Sequence, residues 1–338
     1  MESADLNVLK RSHAWVSQGA RVVLVIVLRT WGSSPRPPGS LMAMRDDGAV
    51  IGSVSGGCIE DDLIHEMHTE GMASLCPDDL PALRTYGVRA EEARKFGLPC
   101  GGTMELVLEP LGERSALDTL IERLSRRQSV LRALHLATGE VTLSESAVDQ
   151  APAIEGHVFK FALGPRYRMI VIGAGQLSRY LCGVATGLDF DVLVCDPRCE
   201  YWTDWDLHDV SITRDMPDDV VLEARPDVRT AVIALTHDPK LDDLALMHAL
   251  QSDAFYVGAL GSRRNNAARV DRLRTYFDLS DQELARLRGP AGIFIGSKTP
   301  PEIAISILAE VVAAKNGVSI PPEFGVKEGK EQLRVDPT

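Results

Sequence analysis

Two cysteines in the first third of the chain lie beside paired glycines. Cys58 follows Gly56 and Gly57 in the string VSGGCIED, and Cys100 precedes another glycine pair in GLPCGG. Glycines beside a thiol leave room for a ligand to approach closely. Two such thiols suit a soft metal centre or a sulfur-transfer step. Two inert small residues at tight turns would give the same pattern, so both interpretations stay open.

The residues after Cys58 predict a helix that begins at this cysteine. Apolar residues recur at helical spacing through CIEDDLIHEMHTEG (58–71). The helix dipole favours a thiolate in the first turn. Glu60, Asp61 and Asp62 lie in the same turn and oppose that charge. Local charge therefore does not decide whether Cys58 is a reactive thiol.

A second group of candidate residues follows the strand-like run RMIVIG (168–173). Gly173 and Gly175 stand between this run and a predicted helix, where backbone N–H groups and the helix dipole bind anions. Asp196 lies 23 residues after Gly173, where dinucleotide-binding folds hold a ribose hydroxyl. Ser178 stands in place of the third fingerprint glycine. This weakens the case for an NAD site without changing the predicted fold.

Other strand-to-helix turns in the second half carry cations and hydroxyl groups. Because ligands of open α/β sheets bind beyond the carboxyl ends of the strands, we expect these side chains to form one rim. The candidates are Gly261, Ser262, Arg263 and Arg264 in GALGSRRNN, Lys298 in GSKTPPE, and His237 in THDPKLDD. Such a rim fits a phosphate or another anionic ligand. The alternative is ordinary helix capping with solvated cations, and His237 is either a ligand contact or part of a cap.

The order of predicted elements sets the fold class. The first half mixes apolar strands, a hairpin turning at Asp47 and Gly48, and helices, which indicates an α+β domain. The second half alternates strands and helices, which predicts a parallel, doubly wound, Rossmann-like sheet. Its predicted strands lie at 168–173, 191–196, 230–235, 254–260 and 292–296. The predicted division is an α+β domain over 1–112, a connecting α/β segment over 113–165, a Rossmann-like domain over 166–317 and a loose tail over 318–338.

Composition and charge argue against several classes of protein. The chain of 338 residues has a formal net charge of −12, which removes the usual electrostatic basis for nucleic-acid binding. No apolar run approaches the ~18 residues of a membrane span, and no signal-peptide core is visible. The six cysteines lie far apart, which favours reduced thiols. We expect a cytoplasmic protein without nucleic-acid or membrane partners.

These motifs closely resemble those of the XdhC/CoxI family, whose members are accessory proteins for molybdenum hydroxylases such as xanthine dehydrogenase, aldehyde oxidase and carbon monoxide dehydrogenase. The shared strings are GSSPRPPGS, GSVSGGCIED, GLPCGG, an IGAG turn, LTHDPKLDD, YVGALGSRRN and TPPEIAISILAEVVA, in this order. They cover both halves of the chain, and the stretch from about 113 to 165 is least marked. The resemblance implies an XdhC/CoxI domain followed by a Rossmann-like domain.

The resemblance also implies a function. Better characterised family members bind the molybdenum cofactor, protect it while its terminal sulfido ligand is installed, and hand it to the apo-enzyme. A chaperone of this kind, rather than a turnover enzyme, would bind molybdopterin or its dinucleotide form. Its partners would be an apo molybdenum hydroxylase and a cysteine desulfurase that supplies sulfur. The family also implies a homodimer.

Matching positions carry the family's site residues onto this chain. Cys58, beside Gly56 and Gly57, would contact the molybdenum or its sulfur, and Cys100 would be the second family thiol. The Gly173 turn and Asp196 would line the Rossmann cleft, together with the GSRR turn. Arg263, Arg264, Ser262 and Lys298 would hold phosphate.

Two other functions remain open on the sequence. One is an NAD(P)-dependent oxidoreductase that binds NAD(P) or another nucleotide in the same cleft and uses His237 for proton transfer. The missing third glycine and the absence of a Tyr-x-x-x-Lys set count against it. The other is a scaffold that docks the hydroxylase without touching the cofactor, for which Cys58→Ala would be silent.

Overall fold

The computed structural model describes residues 4–31, 36–87, 103–146, 150–202 and 205–329. The chain divides into two compact units, one of residues 2–165 and one that begins at Arg166. Each unit has its own sheets and cores, and each is described by itself below. Cys100 lies outside the described residues. The finer division of the chain at residue 112 stays a prediction.

The N-terminal unit is built on a five-stranded antiparallel sheet in the order β3-β2-β1-β5-β4. The strands are β1 Val22–Trp31, β2 Leu41–Arg45, β3 Val50–Gly52, β4 Ala82–Tyr86 and β5 Thr103–Pro110. The helices of this sheet are α1 Ala4–Ser17, α2 Cys58–Glu70 and α3 Met72–Leu75. The hairpin at Asp47 and the helix from Cys58 to Gly71 are confirmed. Helix α1 and strand β4 were not predicted from the sequence.

Strand β1 is buried on both faces, which explains its continuous apolar run. Leu24 and Ile26 share a core with helix α1, whereas Val23 and Val25 share a core with helix α2. Alternate side chains of a strand point to opposite faces, so the two helices cover opposite sides of the sheet. Helix α2 is thereby fixed on the sheet by its buried side.

A second, four-stranded antiparallel sheet completes the N-terminal unit in the order β7-β6-β9-β8. Its elements are α4 Leu117–Ser125, β6 Val130–His135, β7 Val141–Glu145, β8 Ala153–Glu155 and β9 Val158–Leu163. Leu120, Phe159 and Phe161 join the core that contains helix α1.

The second unit contains a six-stranded sheet with every neighbouring pair parallel, in the order β12-β11-β10-β13-β14-β15. The strands are β10 Arg168–Ile172, β11 Asp191–Cys195, β12 Ser211–Thr213, β13 Thr230–Ala234, β14 Tyr256–Ala259 and β15 Leu287–Arg288. This is the 3-2-1-4-5-6 order of dinucleotide-binding folds, in which the strand order reverses between β10 and β13. The predicted Rossmann-like fold is confirmed.

Helices cover both faces of this sheet. They are α5 Gln176–Gly187, α6 Pro217–Ala224, α7 Pro239–Gln251, α8 Arg263–Phe277, α9 Asp281–Leu284 and α10 Pro300–Lys315. Helices α5 and α10 share one core with the sheet, and α6, α7 and α8 share the other. No helix of the described residues is long and apolar enough to cross a membrane.

The predicted strand at 292–296 is wrong. The sixth strand is instead β15, and Ile293 makes only an isolated bridge with Gly325. Gly292 has φ +108°, in the left-handed region, and its backbone lies against Ser306 on helix α10, so the chain cannot continue as a strand. The described part of the predicted loose tail also packs on this turn, since Phe294 N–H donates to Phe324 O at 2.6 Å.

Candidate functional site

Cys58 is the first residue of helix α2, and its side chain is exposed. Gly57 precedes the helix with φ +145°, and Gly56 has φ +92°. L side chains rarely adopt such backbone angles, so the two glycines permit the reversal that leads into the helix. Apart from the two chain neighbours of Gly57, no atom of the described residues lies within 4 Å of the position of a Cβ there, so the constraint is conformational. The structure brings Gly56, Gly57 and Cys58 together in one turn.

A buried carboxylate holds this turn in place. Glu60 is 7% exposed, and it accepts hydrogen bonds from the backbone N–H groups of Val54 and Ser55, both at 2.8 Å, and of Gly57 at 2.9 Å. The Ser53 hydroxyl donates at 2.7 Å, and the Ser55 hydroxyl donates as well. We call residues 53–57 with Glu60 the carboxylate clamp. The loop wraps around a side chain of its own helix.

The clamp changes the electrostatic picture around Cys58. Burial opposes ionisation of Glu60, but the hydrogen bonds from Ser55, Ser53 and the backbone outweigh it and hold the pKa of Glu60 below its ordinary value. Because the clamp's N–H groups already bind this carboxylate, the loop is not an open anion site. In the sequence, Glu60 is recognisable only as a charge that opposes a thiolate. Its buried position follows from the loop's reversal, which helical periodicity does not reveal.

The remaining described cysteines separate into two groups. Cys76, Cys182 and Cys195 are buried, whereas Cys199 is exposed like Cys58. Burial raises the pKa of Cys76 and of Cys195 to about 12, which keeps both as neutral thiols. Among the described residues, no group of three or more His, Cys, Asp or Glu side chains is placed to hold a metal ion. A metal ion that binds Cys58 would therefore need most of its ligands from a bound cofactor rather than from the described residues.

The Gly173 turn lies at the point where the strand order reverses. Gly173 has φ +103°, and a Cβ there would come within 2.8 Å of the Thr236 side chain, so glycine lets the turns after β10 and β13 touch. Gly175 precedes the first residue of helix α5. These glycines occupy the place of a dinucleotide phosphate turn, as the sequence predicts.

Asp196 is fully buried and already bound on both carboxylate oxygens. It accepts from Ala174 N–H at 2.8 Å and from the Arg198 side chain at 2.9 Å on each oxygen. Burial opposes ionisation of Asp196, but the hydrogen bonds from Arg198 and Ala174 lower its pKa. The residue expected to hold a ribose hydroxyl instead ties the glycine turn to Arg198, which was not a predicted site residue.

His237 lies in the loop after β13, with an exposed side chain and φ +63°. It does not cap helix α7. That role belongs to Asp238, whose carboxylate accepts from Lys240 N–H at 2.9 Å. His237 therefore stands at the rim with its imidazole open to solvent.

A buried ion network underlies the rim. Arg269 of helix α8 donates to Asp242 at 3.0 Å and to Asp243 at 3.2 Å, and both acids are on helix α7. Asp242 also accepts from the Thr236 hydroxyl at 2.6 Å, and Arg269 donates to Leu260 O at 3.1 Å. The network thus connects the loop that carries His237 to the turn that carries GSRR. Burial raises the pKa of Asp242.

The GSRR turn begins helix α8. Ser262 caps the helix by accepting from Asn265 N–H at 3.1 Å, and Gly261 has φ +140°. Arg263 donates to Lys327 O at 3.4 Å. The Arg264 side chain is exposed, and no ion pair or hydrogen bond links it to another residue of the described ranges. Of the two arginines, Arg264 is therefore the one available to an external anion.

Lys298 is exposed just before helix α10. Its backbone N–H donates to Glu302 at 2.8 Å, and Thr299 and Glu302 form a capping box at the start of the helix. Within the Rossmann unit, the Gly173 turn, the His237 loop and the GSRR turn each follow the carboxyl end of a parallel strand. They therefore share one edge of the sheet.

Family models match most of this architecture. Residues 169–311 match the model described as the XdhC Rossmann domain, and residues 15–74 match the model described as the XdhC and CoxI family. The two matches together cover more than half of the chain. The chain belongs to the XdhC/CoxI family. The resemblance drawn from the motifs is confirmed, and the matched residues include every described site candidate.

Relatives of this XdhC/CoxI protein extend over nearly its whole length. It is 26% identical over 318 residues to the molybdenum cofactor insertion chaperone PaoD of Escherichia coli K12, and the match covers 91% of this chain and 88% of PaoD. It is 24% identical over 330 residues to a protein of Bacillus subtilis named as a probable xanthine dehydrogenase subunit, and that match covers 88% of this chain and 94% of the relative.

A solved structure shares the fold. A crystal structure described as a xanthine dehydrogenase from Bacillus halodurans superimposes with a TM-score of 0.71 and 24% identity, covering 94% of this chain and 98% of that chain. This likeness shows that the XdhC/CoxI protein has the same fold as the Bacillus halodurans protein.

Proposed function

We propose that this chain binds the molybdenum cofactor, supports its sulfuration and inserts it into a molybdenum hydroxylase of the xanthine dehydrogenase, aldehyde oxidase or carbon monoxide dehydrogenase type. The observation that carries the proposal is the exposed thiol of Cys58, which the carboxylate clamp holds at the first residue of helix α2. The relative PaoD is named as an insertion chaperone for this cofactor, which gives the proposal its ligand.

The geometry at Cys58 suits contact with a metal that carries its own ligands. Thiolate is a soft ligand, and among the described residues Cys58 has no neighbouring ligand cluster that would retain a bare ion. The cofactor would supply the molybdenum centre and its sulfur. Cys58 would supply one sulfur contact on a turn whose shape is fixed in advance. Cys100, outside the described residues, remains the proposed second thiol.

The Rossmann rim supports a phosphate-bearing ligand. Arg264 and His237 are exposed at the carboxyl edge of the sheet, and Lys298, which follows no strand, is exposed before helix α10, in a chain whose net charge is −12. Exposed cations at such a rim attract an anion locally even though the chain as a whole is acidic. The N–H groups at the start of helix α5 and the Ser262 turn would complete the phosphate contacts.

The arrangement at Asp196 counts against an NAD(P)-dependent oxidoreductase. A ribose diol would have to displace a buried carboxylate from Arg198 and from Ala174 N–H. Removing partners from a buried charge is costly. His237, the proposed proton-transfer group of that alternative, has no described partner that orients its ring. The insertion chaperone therefore remains the better-supported function.

The partners proposed with this function are an apo molybdenum hydroxylase and a cysteine desulfurase, and the working form proposed is a homodimer.

Insertion is tested by following transfer of the cofactor from this chain to the apo-hydroxylase. The purified chain is loaded with cofactor, separated from excess, and mixed with apo-hydroxylase while hydroxylase activity is followed. We expect activation to exceed that produced by the same amount of unbound cofactor. Equal activation in the absence of the chain would reject insertion.

A further inference from the structure

We propose that the Rossmann unit binds the aromatic base of a nucleotide in a cleft beside the start of helix α5. The cleft has a volume of about 260 Å³ and is lined by Gln176, Arg179, Glu200, Tyr201 and Trp205, with Ala174 and Gly175 at one end. Ligand sites for drug-sized molecules measure roughly 300–1,000 Å³, so this cleft is sized for one heterocycle.

Two aromatic side chains, Tyr201 and Trp205, line the cleft. Tyr201 is 45% exposed even though its ring is large and partly apolar. The guanidinium of Arg198 lies over this ring, 4.2 Å from the ring centroid. Arg198 is itself fixed by two contacts to Asp196, so the tyrosine is backed by a rigid group. A ring held in this way is a stacking platform for a flat heterocycle.

Polar groups at the cleft can read the edge of a base. Trp205 lines the cleft, but its Nε1 is buried, so this residue offers ring surface rather than a donor to a ligand in the cleft. Arg179 is held by Asp206 at 2.7 Å, and the Gln176 amide and Glu200 carboxylate offer both donors and acceptors.

The position of the cleft connects it to the phosphate turn. Ala174 and Gly175 belong both to the cleft and to the turn that follows β10. A ligand with phosphate at this turn would place its base toward Tyr201. Because Asp196 is occupied by Arg198, recognition would depend on base and phosphate rather than on the ribose diol. Taking the nucleotide to be that of the cofactor's dinucleotide form rests on the proposed function.

The experiment titrates the full chain with ADP, GDP, CDP and UDP by calorimetry. We expect at least one of them to bind, and Tyr201→Ala to weaken that binding by at least about tenfold, as loss of one stacking contact predicts. Tyr201→Phe keeps the ring and should remain within about twofold of the wild type. Tyr276→Ala, an exposed tyrosine on helix α8, is the matched control and should change nothing. No binding of any of the four, or equal binding by Tyr201→Ala, overturns the proposal.

A second arm separates this proposal from the chaperone function and identifies the source of the nucleotide. The chain is offered molybdopterin and its dinucleotide form, and displacement of the bound nucleoside diphosphate is measured. Displacement by the dinucleotide form alone identifies the cofactor as the source. A third outcome is that nucleotide binding depends on Tyr201 but the chain neither retains cofactor nor releases the nucleotide when cofactor is added. That outcome identifies a separate nucleotide, and it rejects the chaperone function but not the cleft. Cofactor retention without any nucleotide binding rejects the cleft and leaves the chaperone function intact.

Discussion

Glu60 accepts a 2.8 Å hydrogen bond from the backbone N–H of Ser55, five residues before it, so a helix side chain lies inside the loop that precedes the helix. In the sequence, the exposed Cys58 lies between Ser55 and Glu60. The position of the thiol therefore depends on the hydrogen bonds that Glu60 accepts from the preceding loop. A reactive residue supported by such a hydrogen-bonded loop keeps its geometry before any ligand arrives.

Glu60→Gln tests the structural role of the clamp. The amide keeps the size of the side chain but removes the charge that accepts hydrogen bonds from Val54, Ser55 and Gly57. We expect a loss of about 1.5–3 kcal/mol in the free energy of unfolding, measured by urea denaturation. The control is Asp61→Asn, the exposed neighbour, which should stay within about 0.5 kcal/mol of the wild type. Equal stability of the two variants would mean that the clamp does not hold the loop.

The clamp also predicts a pH dependence. The folded-state pKa of Glu60 lies below its ordinary value of 4.5, so its contribution is fully present above that value. As the pH falls below about 5, the unfolded chain binds the proton first and the contribution is lost. Wild-type protein should therefore lose stability below pH 5 more steeply than Glu60→Gln. Parallel stability curves for the two proteins between about pH 6 and pH 3 would contradict this prediction.

Arg269 should be required for stability of the Rossmann unit. It is buried between Asp242 and Asp243, and its removal leaves two buried acids with fewer partners. We expect Arg269→Met to lower the free energy of unfolding by about 3–5 kcal/mol. Arg264→Ala on the same helix removes an exposed side chain and should change stability by less than about 0.5 kcal/mol. A loss below about 1 kcal/mol for Arg269→Met would show that the network is not a stabilising one.

Arg264 should instead matter for binding. Its exposed guanidinium lies at the first turn of helix α8, where it can contact phosphate. We expect Arg264→Ala to weaken inorganic pyrophosphate binding by about tenfold or more, the usual effect of removing a charge-assisted hydrogen bond. Arg274→Ala, near the other end of the helix, removes a charge already paired with Asp281 and should have little effect. Equal losses from both variants would indicate a general effect of net charge.

The shared edge of the Rossmann sheet was predictable because parallel strands with intervening helices place their carboxyl ends on one side. The IGAG, THDP and GSRR turns therefore appear together in the structure as they do in the prediction. The absence of a strand at 292–296 was not predictable. The apolar residues there fit a strand, and the left-handed backbone of Gly292 interrupts it.

Side-chain contacts between residues far apart in the sequence could not be predicted from periodicity and spacing. Asp242 and Arg269 are 27 residues apart and meet because helices α7 and α8 are neighbours. Asp196 was placed correctly at the end of its strand, but its pairing with Arg198 depends on the path of the loop that follows. The carboxylate clamp was also not predictable. The path of a short loop buries Glu60, whereas Asp61 in the same helical turn is exposed, and the sequence does not distinguish the two acids.

Retention of the molybdenum cofactor by Cys58 variants tests the central claim most directly. The purified chain is incubated with cofactor and desalted, and bound molybdenum is measured for the wild type, Cys58→Ala and Cys199→Ala, the last of which removes the other exposed thiol of the described residues. We predict retention by the wild type and Cys199→Ala, and affinity at least about tenfold weaker for Cys58→Ala. No retention by the wild type would contradict the chaperone function, and equal retention by Cys58→Ala would remove Cys58 from the site.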